Sequence, residues 1–307
     1  MTLNIKENVP LAPLTTFEIG GAAKYIVDVR TEDDIREALA WAKEKGTKFV
    51  VLAGGSNVLI PDNGLDALVV RLRGDLYGCK DGAVDSWAGT NLLKVIQAMG
   101  AQGWGGWEKL SGIPGTIGGA VRGNAGAFGP EIKDFVTSVR ALNSETGQCR
   151  DFVNPECDFS YRHSYFKDHP EWIITRVHVQ LTHKSDLWVR EQIEETIAER
   201  EKRHLQNVKA AGSFFMNPKA PPEIVAMFEA EKKIKSREGR VPAGWLIEKA
   251  GMKGATVGGA IASLQHPNYI VNQGGATSHD VCNLAQVIKL EVENQFGVEL
   301  QEEAAIL

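Results

Sequence analysis

The chain has 307 residues, more than one hydrophobic core usually organises, so two or three lobes are expected. Apolar residues make up 43% and charged residues 24%, ordinary for a globular protein, and no apolar run nears the ~18 residues of a membrane span. A net charge of −5 with both signs interspersed speaks against nucleic-acid binding through a broad basic field, and leaves room for a small anionic ligand.

Residues 1–14 lack the charged-then-apolar order of a signal peptide, so a soluble, cytoplasmic protein is expected. Residues 25–29 (YIVDV) read as a strand. Thr31 and Asp34 then form a capping box, predicting a helix that ends at Gly46 with Ile35, Leu39 and Ala42 on its apolar face. The apolar strand 48–54 runs into Gly-Gly-Ser-Asn, and 67–72 (ALVVRL) completes a β-α-β start. The middle, about 73–185, is mixed. There 82–89 reads as a strand, 91–103 as a helix and 172–183 as a long strand, while 135–152 reads as a hairpin turning at Glu145, Thr146 and Gly147. A charged helix near 187–204 serves as a connector. Beyond it 243–251 reads as a helix, 255–264 and 268–272 as strands, and 279–297 as a final helix with Val281, Leu284, Ile288 and Val292 on one face. The fold class is α+β with a ligand groove expected between lobes; the pattern leaves strand order open.

Five segments carry chemistry. Gly54, Gly55, Ser56 and Asn57 follow an apolar strand, where consecutive backbone N–H groups can cradle a pyrophosphate; alone, they read more simply as a tight turn. Gly112, Ile113, Pro114, Gly115, Thr116, Ile117, Gly118, Gly119 and Ala120, then Gly123, Asn124, Ala125 and Gly126, are too rich in glycine for one helix or strand. The entropy that such a segment loses on ordering points to close approach of the backbone to an extended ligand. It is neither a Walker loop nor a Rossmann fingerprint. Arg162, in Tyr161-Arg162-His163-Ser164, offers a planar cation for a carboxylate or phosphate, or a plain surface pair with Asp158 or Asp168. Ser213 lies between Gly212 and two phenylalanines with no G-x-S-x-G elbow, so it reads as a presented hydroxyl or a cap rather than an acyl nucleophile. Glu302 and Glu303 read on their own as solvated acids. The four cysteines, Cys79, Cys149, Cys157 and Cys282, show no C-x-x-C pair and no zinc spacing, so no metal site is expected and the thiols read as reduced and inert.

Together, and in order along nearly the whole chain, these segments resemble the UDP-N-acetylenolpyruvoylglucosamine reductase (UDP-N-acetylmuramate dehydrogenase) family, in its shorter-chain subtype. The matching stretches are LAPLTTFEIGG (11–21), VLAGGSNVLI (51–60), LSGIPGTIGGAVRGNAGAFG (110–129), YRHSYFK (161–167), AGSFFMNP (211–218), AGWLIEKAGMKG (243–254), NYIVNQGGAT (268–277) and FGVELQEE (296–303). The resemblance implies a two-lobed vanillyl-alcohol-oxidase (PCMH-type) FAD-binding domain over 1–200, with its lobe boundary near 72. An α+β substrate-binding domain over 201–307 follows, its C-terminal segment returning to the active site. Non-covalent FAD would be held by Gly54, Gly55, Ser56 and Asn57, by Gly112, Ile113, Pro114, Gly115, Thr116, Gly118, Gly119 and Ala120, and by Asn124, Ala125 and Gly126.

The family's active-site arginine falls on Arg162, its proton donor on Ser213 and its C-terminal acidic partner on Glu303. Substrate contacts fall on Tyr161, Arg203, Asn217 and Lys253. The implied reaction is reduction, by NADPH through FAD, of the enolpyruvyl ether of a UDP-sugar in peptidoglycan precursor synthesis. The implied partners are these small molecules only, with no nucleic acid and no membrane, and a monomer is expected. Two alternatives stay open. One is an oxidase on the same fold with FAD tethered through His163 or His178. The other is a flavin or nucleotide-sugar binder without turnover.

Overall fold

Thr31 begins the first helix as its sequence dictates. Its hydroxyl accepts from the Asp34 N–H while the Asp34 carboxylate accepts from the Thr31 N–H, and Glu32–Glu44 buries Ile35, Ala38 and Ala42. The helix lies in the connection between two strands of a four-stranded sheet ordered Lys6–Pro10, Ala22–Val29, Leu65–Leu72, Lys48–Leu52. Lys48–Leu52 runs parallel to Leu65–Leu72, with Val50 beside Val69. A second sheet of five strands is antiparallel and ordered Cys149–Val153, Val136–Asn143, Trp172–Gln180, Ala83–Trp87, Tyr77–Lys80. One apolar core joins both sheets, from Val27, Leu68 and Val70 to Trp87, Ile117, Val139 and Val177.

The computed structural model describes residues 3–202 and 208–307. They fall into two units: Met1–Val9, Ala23–Gly55 and Asp66–Lys202 form the first, and Pro10–Ala22, Ser56–Leu65 and Arg203–Leu307 the second. The sequence predicts a domain boundary near residue 200 and a lobe boundary near 72; the second compact unit also takes in 10–22 and 56–65. These two loops are tied to each other, since the Gly21 N–H donates to the Pro61 carbonyl at 2.9 Å. They send Phe17, Ile19 and Leu59 into the second unit's own core.

That core is capped by Ser278–Phe296, which buries Val281, Leu284, Ile288 and Val292 as its periodicity predicts. The helix packs on a three-stranded antiparallel sheet, Thr256–Val257, Ala260–Ala262 and Ile270–Asn272. The single strand predicted over 255–264 is thus a hairpin, because Gly258 turns at φ +53 where an L side chain is strained. The long strand predicted over 172–183 also ends early. The Leu181 N–H turns to the Gly82 carbonyl, and Thr182–His183 pairs with Trp104–Gly105 instead. Among the described residues no helix is long and apolar enough to cross a membrane.

Candidate functional site

In the first unit the glycine-rich segment is fixed by backbone bonds. Thr116 caps the short helix Ile117–Arg122, accepting from the Gly119 N–H at 3.2 Å. The Ile117 and Gly118 N–H groups donate to the carbonyls of Thr90 and Ala88. These amides are therefore consumed by the protein, and a ligand anion would need other donors. The N–H groups of Gly54, Gly55 and Gly115 supply them, since among the described residues they donate to no protein acceptor. Gly54 and Gly115 also approach so closely that a Cβ on Gly54 would lie 2.5 Å from the Gly115 Cα. The Ser111 hydroxyl, at the entrance to this segment, is buried without a partner among the described residues, a loss of about 1–3 kcal/mol unless a ligand makes the bond. Close-set glycines, open amides and a waiting hydroxyl fit the pyrophosphate of a dinucleotide such as FAD.

Asn124 is the hub of the next segment. It is fully buried with φ +41, and its side chain is committed within the protein. Nδ2 donates to the Ser160 carbonyl at 2.7 Å and to Glu131 Oε2 at 3.1 Å, and Oδ1 accepts from the Lys133 N–H at 3.3 Å. Any contact of Asn124 with a cofactor therefore falls to its backbone.

The bond to Ser160 anchors the turn that carries Arg162. Ser160 and His163 exchange both backbone bonds, leaving Tyr161 and Arg162 at the apex. Arg162 takes φ +57, a left-handed conformation that costs a non-glycine residue about 1–2 kcal/mol. Strain of this kind persists only where surroundings over-determine it. Here Arg162 Nη2 donates to the Gly126 carbonyl at 3.1 Å, its guanidinium lies 5.2 Å from the Tyr161 ring centre, and Lys167 Nζ donates to the Arg162 carbonyl. The sequence-predicted Asn124, Gly126, Tyr161 and Arg162 are thus one connected constellation.

In the second unit Ser213 opens an extended segment held on both sides. Asn268, 2% exposed, accepts from the Phe214 N–H through its carbonyl and brackets Phe215 through its side chain. Its Oδ1 accepts from the Phe215 N–H at 2.9 Å and its Nδ2 donates to the Phe215 carbonyl at 2.8 Å. On the other side the chain end runs antiparallel. Phe215 faces Glu302, the Glu303 N–H donates to the Phe214 carbonyl at 2.8 Å, and the Met216 N–H donates to the Gln301 carbonyl. Ser213 and Glu303 therefore sit on adjacent paired segments. The Ser213 hydroxyl is half-buried and, among the described residues, makes no hydrogen bond, which leaves its proton available to a ligand. Asn57 joins this group, as its Nδ2 donates to the Glu303 carbonyl at 3.2 Å.

The other predicted contacts differ. Asn217 Oδ1 accepts from the Ala243 N–H at 3.0 Å, seating the start of the helix Ala243–Lys249. Lys253 is exposed and pairs with Glu248 at 2.9 Å, an ordinary surface pair. Arg203 lies outside the described residues. Asn268 lies outside the sequence-predicted site residues, and the signal that marks it is an asparagine heading an apolar strand. Burial pushes the Cys157 thiol up to about 12 and raises those of Cys149 and Cys282, so these three stay protonated at neutral pH. Among the described residues no cluster of three His, Cys, Asp or Glu is placed to hold a metal ion.

Comparison with known proteins fits this geometry. Residues 201–307 match the family model described as UDP-N-acetylenolpyruvoylglucosamine reductase, C-terminal domain, and residues 23–152 match the one described as FAD binding domain. The reductase of that name from Solibacter usitatus is 35% identical over 308 residues, covering 98% of this chain and 96% of the relative. The one from Pseudomonas aeruginosa is 36% identical over 341 residues, covering 99% of each. The crystal structure of the Thermus caldophilus enzyme superposes with a TM-score of 0.77 at 31% identity, covering 99% of both chains. The fold is α+β, with an FAD binding domain and a C-terminal domain of the reductase's type. On identity across essentially its whole length, the chain belongs to the UDP-N-acetylenolpyruvoylglucosamine reductase family.

Proposed function

We propose that this protein reduces the enolpyruvyl ether of UDP-N-acetylglucosamine-enolpyruvate to UDP-N-acetylmuramate, with NADPH as reductant and non-covalent FAD, for peptidoglycan precursor synthesis in the cytoplasm. The observation that carries this reading is the pairing of the Ser213 and Glu303 segments, which sets an uncommitted hydroxyl beside a carboxylate-bearing chain end. When bound, FAD supplies the hydride relay from the nicotinamide to the substrate's double bond.

The chain's own residues deal with charge and protons. Hydride addition at C3 of the enolpyruvyl group drives charge onto C2 and the conjugated carboxylate. Arg162, held rigid by Gly126 and Tyr161, is a fixed cation that stabilises such charge as it develops. The resulting enolate is basic enough to take a proton from serine, so the Ser213 hydroxyl delivers it to C2. Glu303 orients the substrate through a charge-assisted hydrogen bond. Gly54, Gly55 and Gly115 hold the cofactor's pyrophosphate through their amides. A side chain at Gly54 collides with Gly115, so Gly54→Val is expected to weaken FAD retention at least about tenfold, read as flavin absorbance after gel filtration.

The test is a two-step stopped-flow experiment without oxygen. NADPH should bleach the flavin of purified holoenzyme, and the UDP-enolpyruvyl sugar should then restore its colour. Colour restored by oxygen alone would favour a different oxidoreductase on this fold. No bleaching at all would favour a binding protein.

A further inference from the structure

Glu302 and Lys289 form an ion pair that the proposed chemistry does not use. Lys289 Nζ lies 3.0 Å from one Glu302 carboxylate oxygen and 3.3 Å from the other, with the two side chains 24% and 30% exposed. Lys289 belongs to Ser278–Phe296, a helix anchored by five buried apolar residues and by the Thr277–Asp280 capping box. Glu302 belongs to the chain end. Cys282, seven residues before Lys289 and so on the same helix face, feels the Glu302 charge as well.

The backbone around Glu302 explains why this pair matters. Glu302 faces Phe215 in the arrangement where the flanking residues, not the facing ones, make the hydrogen bonds. Those bonds run from Met216 N–H to the Gln301 carbonyl and from Glu303 N–H to the Phe214 carbonyl. The N–H and C=O of Glu302 itself bond to nothing among the described residues, so the Lys289 contact is its one polar tie. Successive side chains of an extended segment face opposite ways, so fixing the Glu302 side chain on the helix fixes the direction of its neighbour Glu303.

We propose that Lys289 is a positioning residue for Glu303, acting through Glu302 to hold the chain end in one orientation beside the Ser213 segment. The inference rests on the assignment of Glu303 to the active site. It makes the rigid helix, rather than the short ladder alone, the reference against which the Glu303 carboxylate is aimed.

The experiment measures both half-reactions and amide exchange in holoenzyme carrying Lys289→Met, Glu302→Lys, or the charge swap Lys289→Glu with Glu302→Lys. Lys289→Met is expected to slow flavin reoxidation by the UDP-enolpyruvyl sugar about fivefold, the upper end for a part-exposed ion pair, with bleaching by NADPH unchanged. Exchange of the Glu303 amide, protected by the Phe214 carbonyl, is expected to quicken in the same variant. The swap is expected to bring both readouts back to within about twofold of wild type. Reoxidation unaffected by Lys289→Met, both half-reactions slowed alike, or a swap no better than the singles would overturn the positioning role. Glu303→Gln separates this from the wider assignment. If that variant reoxidises as fast as wild type, the catalytic reading of Glu303 fails, whatever Lys289 does.

Discussion

Replacing Ser213 by alanine is expected to slow reoxidation of the flavin by the enolpyruvyl sugar about a thousandfold while leaving its bleaching by NADPH intact. A positioned proton donor contributes roughly 10²–10⁴-fold, and nothing else beside Glu303 in its segment pair offers a hydroxyl without a protein partner. The split between half-reactions is the diagnostic part, because hydride arrival from the nicotinamide needs no proton at substrate C2. The change should also leave folding alone. Among the described residues Ser213 makes no side-chain hydrogen bond, and the segment is held through Phe214 and Phe215 by Asn268. Equal losses in both half-reactions would mean that Ser213 acts on binding or structure, and the proton donor would have to be sought elsewhere.

Arg162→Met is expected to cost about 10²–10³ in the same half-reaction, the usual loss when one fixed charge-stabilising group is removed. Arg162→Lys should recover little of it. Lysine keeps the charge but lacks the planar fork that bonds the Gly126 carbonyl while facing the Tyr161 ring. Because Arg162 occupies a left-handed position, any non-glycine replacement inherits the same backbone strain, so stability should change little between these variants. Their ratio therefore reports on the side chain. The measurement is the sugar-dependent reoxidation rate with thermal unfolding as a control. A lysine variant as fast as wild type would reduce the role of Arg162 to bulk charge.

Much of the fold was written in local signals. Thr31 and Asp34 marked one helix start, and Val281, Leu284, Ile288 and Val292 marked the buried face of the last helix. What the sequence did not show was pairing between distant short pieces. Val58–Leu59 and Ala305–Ile306 are two residues each, too short for any periodicity, yet they form a parallel ladder. The helix Pro222–Lys232 carries no clear periodic signal, because it buries little besides Phe228. The site divides likewise. The glycine-rich segment and the Arg162 motif announced unusual backbone. The bracket made by Asn268 and the tie between Lys289 and Glu302 depend on long-range register, which composition does not encode.

The parallel ladder of Val58 with Ala305 has a further consequence, for the order of events during folding. Leu59 is fully buried in the folded protein, and its ladder partner Ile306 is far from it in sequence. Until that ladder forms, Val58–Leu59 presents an unpaired edge and the second unit lacks the strand that completes it. A contact spanning almost the whole chain pays a large loop-closure entropy before it returns anything. The Glu303 segment is therefore a late arrival in folding. Helices and hairpins made by neighbouring residues can form before the proposed proton-transfer chemistry is assembled.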